Sequence, residues 1–162
     1  EPGYSGPTLP EDRPPRKYSS INAVLFGPLS RGRTHIMSSD PSDPADIDPA
    51  YYAHPLDLAT HVKGVQLART MLRTAPLDSI YDGDYEPGPG RQTVEELTSW
   101  VKETAASDNH VVGSLAMMPA ELGGVVDTRL KVYGLENVRV VDASIIPFPI
   151  SAHIVSIYLL FL

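Results

Sequence analysis

At 162 residues and 42% apolar side chains, the chain has the size and composition of about one globular domain with a real core. Its formal charge of -7, without blocks of like sign, argues against nucleic acid or an anionic membrane as partner, since both need a basic surface. Cysteine is absent, which excludes disulfides, thiolate metal sites and a cysteine nucleophile within the chain.

Sixteen prolines and twelve glycines are clustered, and the clusters mark the breaks between elements. Residues 1–18 read as an extended proline-rich arm that lacks the apolar stretch of an intact signal peptide. Ile21–Phe26 and Arg33–Ser38 are two strand candidates, with Pro28 and Gly32 in their connection. "DPSDPADIDPAYY" reads as a loop, because its repeated prolines hold neither a helix nor a central strand.

From Leu56 to Thr74 the pattern becomes helical: Leu58, Val62, Val65 and Leu72 share a face, while Lys63, Gln66, Arg69 and Arg73 point elsewhere. "YDGDYEPGPG" breaks this helix. A second helix is announced by Thr93 with Glu96 three residues on, the capping-box arrangement. Val94, Leu97 and Val101 would line its inner face, with Trp100 at the edge. After a loop-rich stretch, Val138–Val141 is a short apolar run of the kind found in a strand covered on both faces. A final helix is expected from about Ser151–Ala152. Its apolar run, Ile154–Leu162, is nine residues long, roughly half of what a membrane-spanning helix needs. The alternation argues for mixed α and β structure.

Two places could carry chemistry. In "SDNHVVGSLAMMP", His110 follows a turn-forming Ser-Asp-Asn, and Gly113 lets backbone approach closely. The same residues also suit a capped turn whose histidine packs on Met117 and Met118. In "VRVVDASIIPFPISAH", a strand ends in Asp-Ala-Ser and a proline-rich segment leads to His153 at a helix start. Such a start favours a partly negative oxygen nearby, although Asp142 and Ser144 could equally cap the strand while His153 fills space. Two histidines converging on one edge would offer a base and an orienting hydrogen bond near neutral pH. His35, His54 and His61 have no such context and read as strand, loop or helix surface. No metal-ligand spacing appears among these three.

Residues 108–158 resemble the C-terminal signature of the glucose–methanol–choline (GMC) flavoprotein oxidoreductases. The resemblance rests on the histidine turn with Gly-Ser and Met-Met-Pro, then Gly-Gly-Val-Val-Asp, Leu-Lys-Val-Tyr-Gly-Leu and Val-Arg-Val-Val-Asp-Ala-Ser. Within the family it is nearest the glucose oxidase, aryl-alcohol oxidase and fungal secondary-metabolite branch. "PLSRGRTHIMSSDPSDPADIDPAYYAHPLDL" is similar to the family's substrate-domain strand, Asp-Pro loop and long helix, so the likeness runs from about Ser19.

The resemblance implies an α+β fold: a mostly antiparallel sheet with flanking helices over residues 19–136, a substrate-binding domain. Residues 137–162 would be the last strand and helix of an FAD-binding domain. It implies FAD as hydride acceptor from a small-molecule alcohol, His110 as the principal base and His153 as its partner on the substrate oxygen. Asp142 and Ala143 would lie along the FAD chain, and the Ile154 and Val155 backbone beside the isoalloxazine. A secreted location is favoured in the same way.

The family's G-x-G-x-x-G turn for the ADP moiety does not occur in this sequence. The expected partners are therefore an N-terminal FAD-domain chain, or a second copy bound through the apolar C-terminus. An alternative is a relative without FAD that acts as a binding protein or a non-redox catalyst through the same histidine pocket.

Overall fold

Two helices supply the regular structure around which one half of the chain packs. Helix α1 spans Pro55–Leu72. Pro55 sits where a missing N–H costs nothing, and the Nδ1 atom of His54 accepts from the Leu56 N–H at 3.3 Å to cap the first turn. Helix α2 spans Val94–Thr104 and opens with the expected capping box. The Glu96 carboxylate accepts from the N–H groups of Gln92 (2.8 Å) and Thr93 (2.9 Å), while Glu96 N–H donates to the Thr93 hydroxyl at 3.2 Å. The computed structural model describes residues 14, 15 and 17–155. Most of the N-terminal arm, the expected final helix beyond Val155 and the apolar end expected to self-associate lie outside them. Ser151 and Ala152 are described, and they form bends in place of the helix start expected there.

The chain divides into two compact units, one built from residues up to Leu25 with Tyr52–Asp108, the other from Phe26–Tyr51 with Asn109 onward. In the first unit, Val62 and Val65 of α1 bury against Leu97 and Val101 of α2, with Ala23, Tyr52, Leu58 and Trp100 around them. Each such side chain contributes about 1.5–3 kcal/mol on burial. Val94, expected on the inner face, is exposed because it lies on the first turn, ahead of the packed region.

Arg69, expected to face away, is buried. Its guanidinium pairs with Asp84 at 2.7 Å and its two terminal nitrogens donate to the carbonyls of Arg91 (2.7 Å) and Gly88 (3.0 Å), so its charge is met inside. His61 is not a surface residue either. Its Nε2 lies 2.8 Å from the Ala23 carbonyl and its Nδ1 2.7 Å from the Tyr52 hydroxyl. A carbonyl can only accept, so in the neutral ring Nε2 carries the proton and Tyr52 donates to Nδ1. This bond explains why Ile21–Phe26 forms no strand: the Ala23 carbonyl is taken by a side chain, and its Cβ would meet one added at Gly64 at 3.1 Å.

In the second unit, β1 (Arg33–His35) pairs antiparallel with β2 (Asp46–Asp48), with Thr34 opposite Ile47. The first strand is shorter than expected, and the second lies inside the proline-rich loop. Pro44 and Pro49 bracket it, so three residues pair without asking a proline for an N–H. Arg33 holds Asp46 and Asp48 at 3.5 and 3.0 Å across the ribbon.

The core of this unit is Val126, fully buried, with Ile145 and Ile146. It is built from loops laced by backbone bonds, among them Val125 N–H to Ala116 (2.9 Å), Tyr133 N–H to Val125 (3.0 Å) and Val140 N–H to Leu130 (3.1 Å). Val138–Val141 is accordingly not a strand covered on both faces: Val140 packs on the core, Arg139 makes a single bridge to Lys131, and Val138 and Val141 are exposed. The described residues thus show helices and a small antiparallel sheet, an α+β arrangement with far less sheet than expected. No helix among them is long and apolar enough to cross a membrane.

Two stability predictions follow from these contacts. A Cβ on Gly124 would lie 1.8 Å from the Met118 carbonyl oxygen, a backbone atom that cannot swing away. Gly124→Ala should therefore destabilise the fold by about 3 kcal/mol, read as a fall in the urea midpoint at unchanged slope. The Glu96 carboxyl is held below its usual range by the Thr93 and then the Gln92 backbone N–H groups. A depressed carboxyl contributes above its unfolded value and loses that contribution as pH falls through its folded one. The urea midpoint should drop in acid for this reason. Glu96→Gln, which keeps the box but does not titrate, should flatten that part of the pH dependence.

Candidate active site

The second unit places His110 and His153 by fixing the segments that carry them. Asn109 adopts left-handed backbone (φ 59), a conformation asparagine tolerates better than most residues, and turns the chain at His110. The following segment runs beside residues 144–147: Leu115 N–H donates to Ser144 at 3.0 Å and Met117 N–H to Ile145 at 2.8 Å. Gly113 (φ 88) lies at the tightest point, where a Cβ would stand 3.4 and 3.5 Å from the Pro147 and Ile146 carbonyls. A side chain there would combine disfavoured backbone with pressure on the segment leading to His153.

On the facing segment, Asp142 caps a short 3-10 turn, Ala143–Ile145. Its carboxylate accepts from the Ser144 hydroxyl and from the Ser144 N–H at 2.8 Å, and these bonds, the hydroxyl first, hold it below the usual carboxylate range. Buried Ile145 and Ile146 tie the turn to Val126. The chain then leaves through Pro147 and Pro149 and returns His153 to His110.

The two rings meet with His110 Nε2 and His153 Nδ1 2.5 Å apart, their centroids 4.8 Å apart and their planes at 76°. His110 is half-buried and His153 exposed. One proton can lie between the facing nitrogens, whereas a second would set two donors against each other. The pair can therefore take a proton from a neighbouring hydroxyl and spread the charge over two rings.

Of the other residues singled out in the sequence, Asp142 is exposed and Ala143 half-buried at the head of the segment that ends in His153. Ile154 is buried, so only its backbone is available to a ligand, and Val155 is exposed. His35 is exposed on β1 and His54 serves as a cap. One residue of the site was not foreseen: the Phe26 ring lies edge-to-face on His153, with centroids 5.5 Å apart and planes at 83°. A single aromatic residue before Gly-Pro gives no spacing signal that would connect it to a histidine so far along the chain.

The segment from 141 to 155 also leaves three large apolar side chains open: Val141 (66%), Phe148 (60%) and Val155 (59%). Exposed apolar groups accompanying paired imidazoles suit a flat ring system with a polar edge. On this observation the residues fit a flavin.

A loop-built core thus presents two imidazoles within hydrogen-bond distance of each other. Comparison with known proteins narrows the class. Residues 28–161 match the GMC oxidoreductase family, and the chain belongs to that family. It is 43% identical over 138 residues to the GMC oxidoreductase family protein Mala s 12 of Malassezia sympodialis, covering 85% of this chain and 22% of that protein. It is 37% identical over 135 residues to glucose oxidase 1 of Penicillium expansum, covering 81% and 22%.

Among solved structures it resembles an FAD-dependent oxidoreductase of Chaetomium thermophilum (TM-score 0.77, 30% identity, 82% of this chain and 23% of that one). It also resembles a fungal aryl-alcohol oxidase (TM-score 0.75, 32% identity, 85% and 23%). The resemblance read from the sequence motifs is thereby borne out, down to the branch. The chain spans about a fifth of the length of the curated relatives it matches.

Proposed function

We propose that this chain is the C-terminal part of an FAD-dependent oxidoreductase that oxidises the CH–OH group of a small alcohol, with His110 as base and His153 as its partner. The single observation behind this reading is the 2.5 Å approach of the two imidazoles, from segments far apart in sequence. Residues 19–136 would serve as the substrate-binding domain and 137–162 as the last elements of the FAD-binding domain. Its remainder would be supplied by the rest of a longer protein or by a companion chain. An extracellular setting is the expectation drawn from the family resemblance.

Asp142, Ala143 and the Ile154 and Val155 backbone would hold the cofactor. When bound, FAD supplies the hydride acceptor for the alcohol carbon. The protein's own task is the proton. His110, half-buried and already facing a second nitrogen, takes it from the hydroxyl. His153, open to solvent, holds the substrate oxygen in place and shares the charge that His110 acquires. The alcohol thus loses a hydride and a proton and leaves as the carbonyl compound. Fixed groups aimed at the oxygen lower the barrier because they need no rearrangement during reaction.

The test is anaerobic addition of primary aliphatic, aromatic and sugar alcohols to the purified protein loaded with FAD. Bleaching of the oxidised-flavin absorbance by at least one class is expected. Protein that holds flavin and bleaches with none of them would sink the reading. A folded, colourless protein that does not bind added FAD would favour a flavin-free binding or non-redox role instead.

A further inference from the structure

We propose that Phe26 is a positioning residue that fixes the orientation of the His153 ring for proton transfer. The proposal rests on the function argued above and adds a residue to it. His153 is exposed and follows a proline-rich turn whose last residues, Ser151 and Ala152, are bends. Its local backbone therefore does little to restrain the side chain, and the outer torsion of a histidine is broad and roughly two-fold. A half-turn of that ring would replace Nδ1 by a carbon opposite His110 and break the bond between the rings.

Two ring contacts oppose such a turn. One is His110 itself. The other is Phe26, whose centroid distance of 5.5 Å and interplanar angle of 83° fall within the edge-to-face range that aromatic pairs prefer. Phe26 suits the task because the chain behind it is anchored. The Arg31 guanidinium donates to the Pro28 carbonyl at 2.6 Å and the Ser30 carbonyl at 2.9 Å, tightening the turn. Gly32 packs so closely on β2 that a Cβ would lie 2.4 Å from the Asp48 carbonyl oxygen. The half-buried phenyl ring is thus a fixed partner against which the exposed imidazole is held.

The experiment compares Phe26→Leu with Phe26→Tyr in the flavin-loaded protein and, separately, records the imidazole nitrogen NMR signals of His153 in each. Phe26→Leu should lower kcat about three- to tenfold with little change in KM, a loss on the scale of one aromatic pair. Phe26→Tyr, which keeps the ring, should stay near the parent. In the NMR measurement the parent and Phe26→Tyr should show one hydrogen-bonded His153 form, whereas Phe26→Leu should show exchange between ring orientations. If Phe26→Leu does not fold, Phe26→Met replaces it in both measurements.

An unchanged kcat with an unchanged His153 spectrum in the leucine variant would overturn the proposal. So would an equal loss in the tyrosine variant. Full turnover in His153→Ala would instead remove the partner role of His153 from the functional reading, and the role of Phe26 with it, whereas a parent that turns over no alcohol would overturn that reading itself. Loss in His153→Ala beside a parent-like Phe26→Leu would remove only the role of Phe26.

Discussion

Replacing His110 by alanine should lower turnover of an alcohol substrate by roughly 10²–10⁴-fold, the usual worth of a positioned general base. The expectation follows from geometry: a half-buried imidazole whose Nε2 already faces a second nitrogen at 2.5 Å has a ready route for the charge it acquires. His153→Ala should cost less, about 10- to 100-fold, because it removes the partner and leaves the base. The double variant should fall little below His110→Ala, since residues that act as a unit are not additive. His153→Asn, which can still donate to a substrate oxygen, should recover part of the His153 loss. Steady-state kinetics on the flavin-loaded protein would decide this, with circular dichroism confirming that each variant folds. Neither ring belongs to the buried clusters, so the fold should survive. Turnover that survives both single changes would refute the assignment.

How much of this was legible in the sequence depends on the distance over which each feature is determined. The α2 cap was readable because Thr93 and Glu96 settle it within four residues, and both expected bonds form. Helix α1 was readable from its period, to within a few residues at either end, and Pro55 at its start obeys a local rule. The convergence of His110 and His153 was only a possibility from their junction positions, and family motifs carried it further than periodicity could.

The features that escaped are decided by long-range partners. Arg69 reads as a solvent-facing cation on the helical wheel, until the 81–91 loop supplies a carboxylate and two carbonyls. Ile21–Phe26 and Val138–Val141 have the composition of strands. Composition, however, does not reveal that His61 takes the Ala23 carbonyl, or that residues 130–140 are bonded as crossing loops. The short strand Asp46–Asp48 was hidden by its flanking prolines, which limit its length without forbidding three paired residues. The contact of Phe26 with His153 belongs to the same class, a pairing across most of the chain that leaves no local trace.

Removing the Arg69 side chain should destabilise the protein by about 3–5 kcal/mol, the largest effect expected of any change outside the histidine pair. Arg69 and Asp84 keep only 10% and 4% of their side-chain surface and lie 2.7 Å apart. Arg69→Ala would leave a nearly buried carboxylate facing no fixed cation. Arg73 stands 3.6 Å from the same oxygen but is half exposed, so it offers little compensation. Tyr81 donates to the other oxygen at 2.6 Å and cannot neutralise it.

Arg69 also meets the carbonyls of Gly88 and Arg91, the latter directly before the Gln92–Thr93 cap of α2. Its loss should therefore loosen the loop and fray the first turn of α2 as well. Arg69→Lys should fail almost as badly, because one ammonium does not reproduce a fork that binds a carboxylate and two carbonyls. An apolar pair at both positions, often neutral where an ion pair stands alone, should remain destabilised here because those carbonyls would be orphaned. Urea titrations of Arg69→Ala, Asp84→Ala and Arg69→Met with Asp84→Leu would test the account. A double variant as stable as the parent would mean that the carbonyl bonds contribute nothing, and that the loop is held by packing alone.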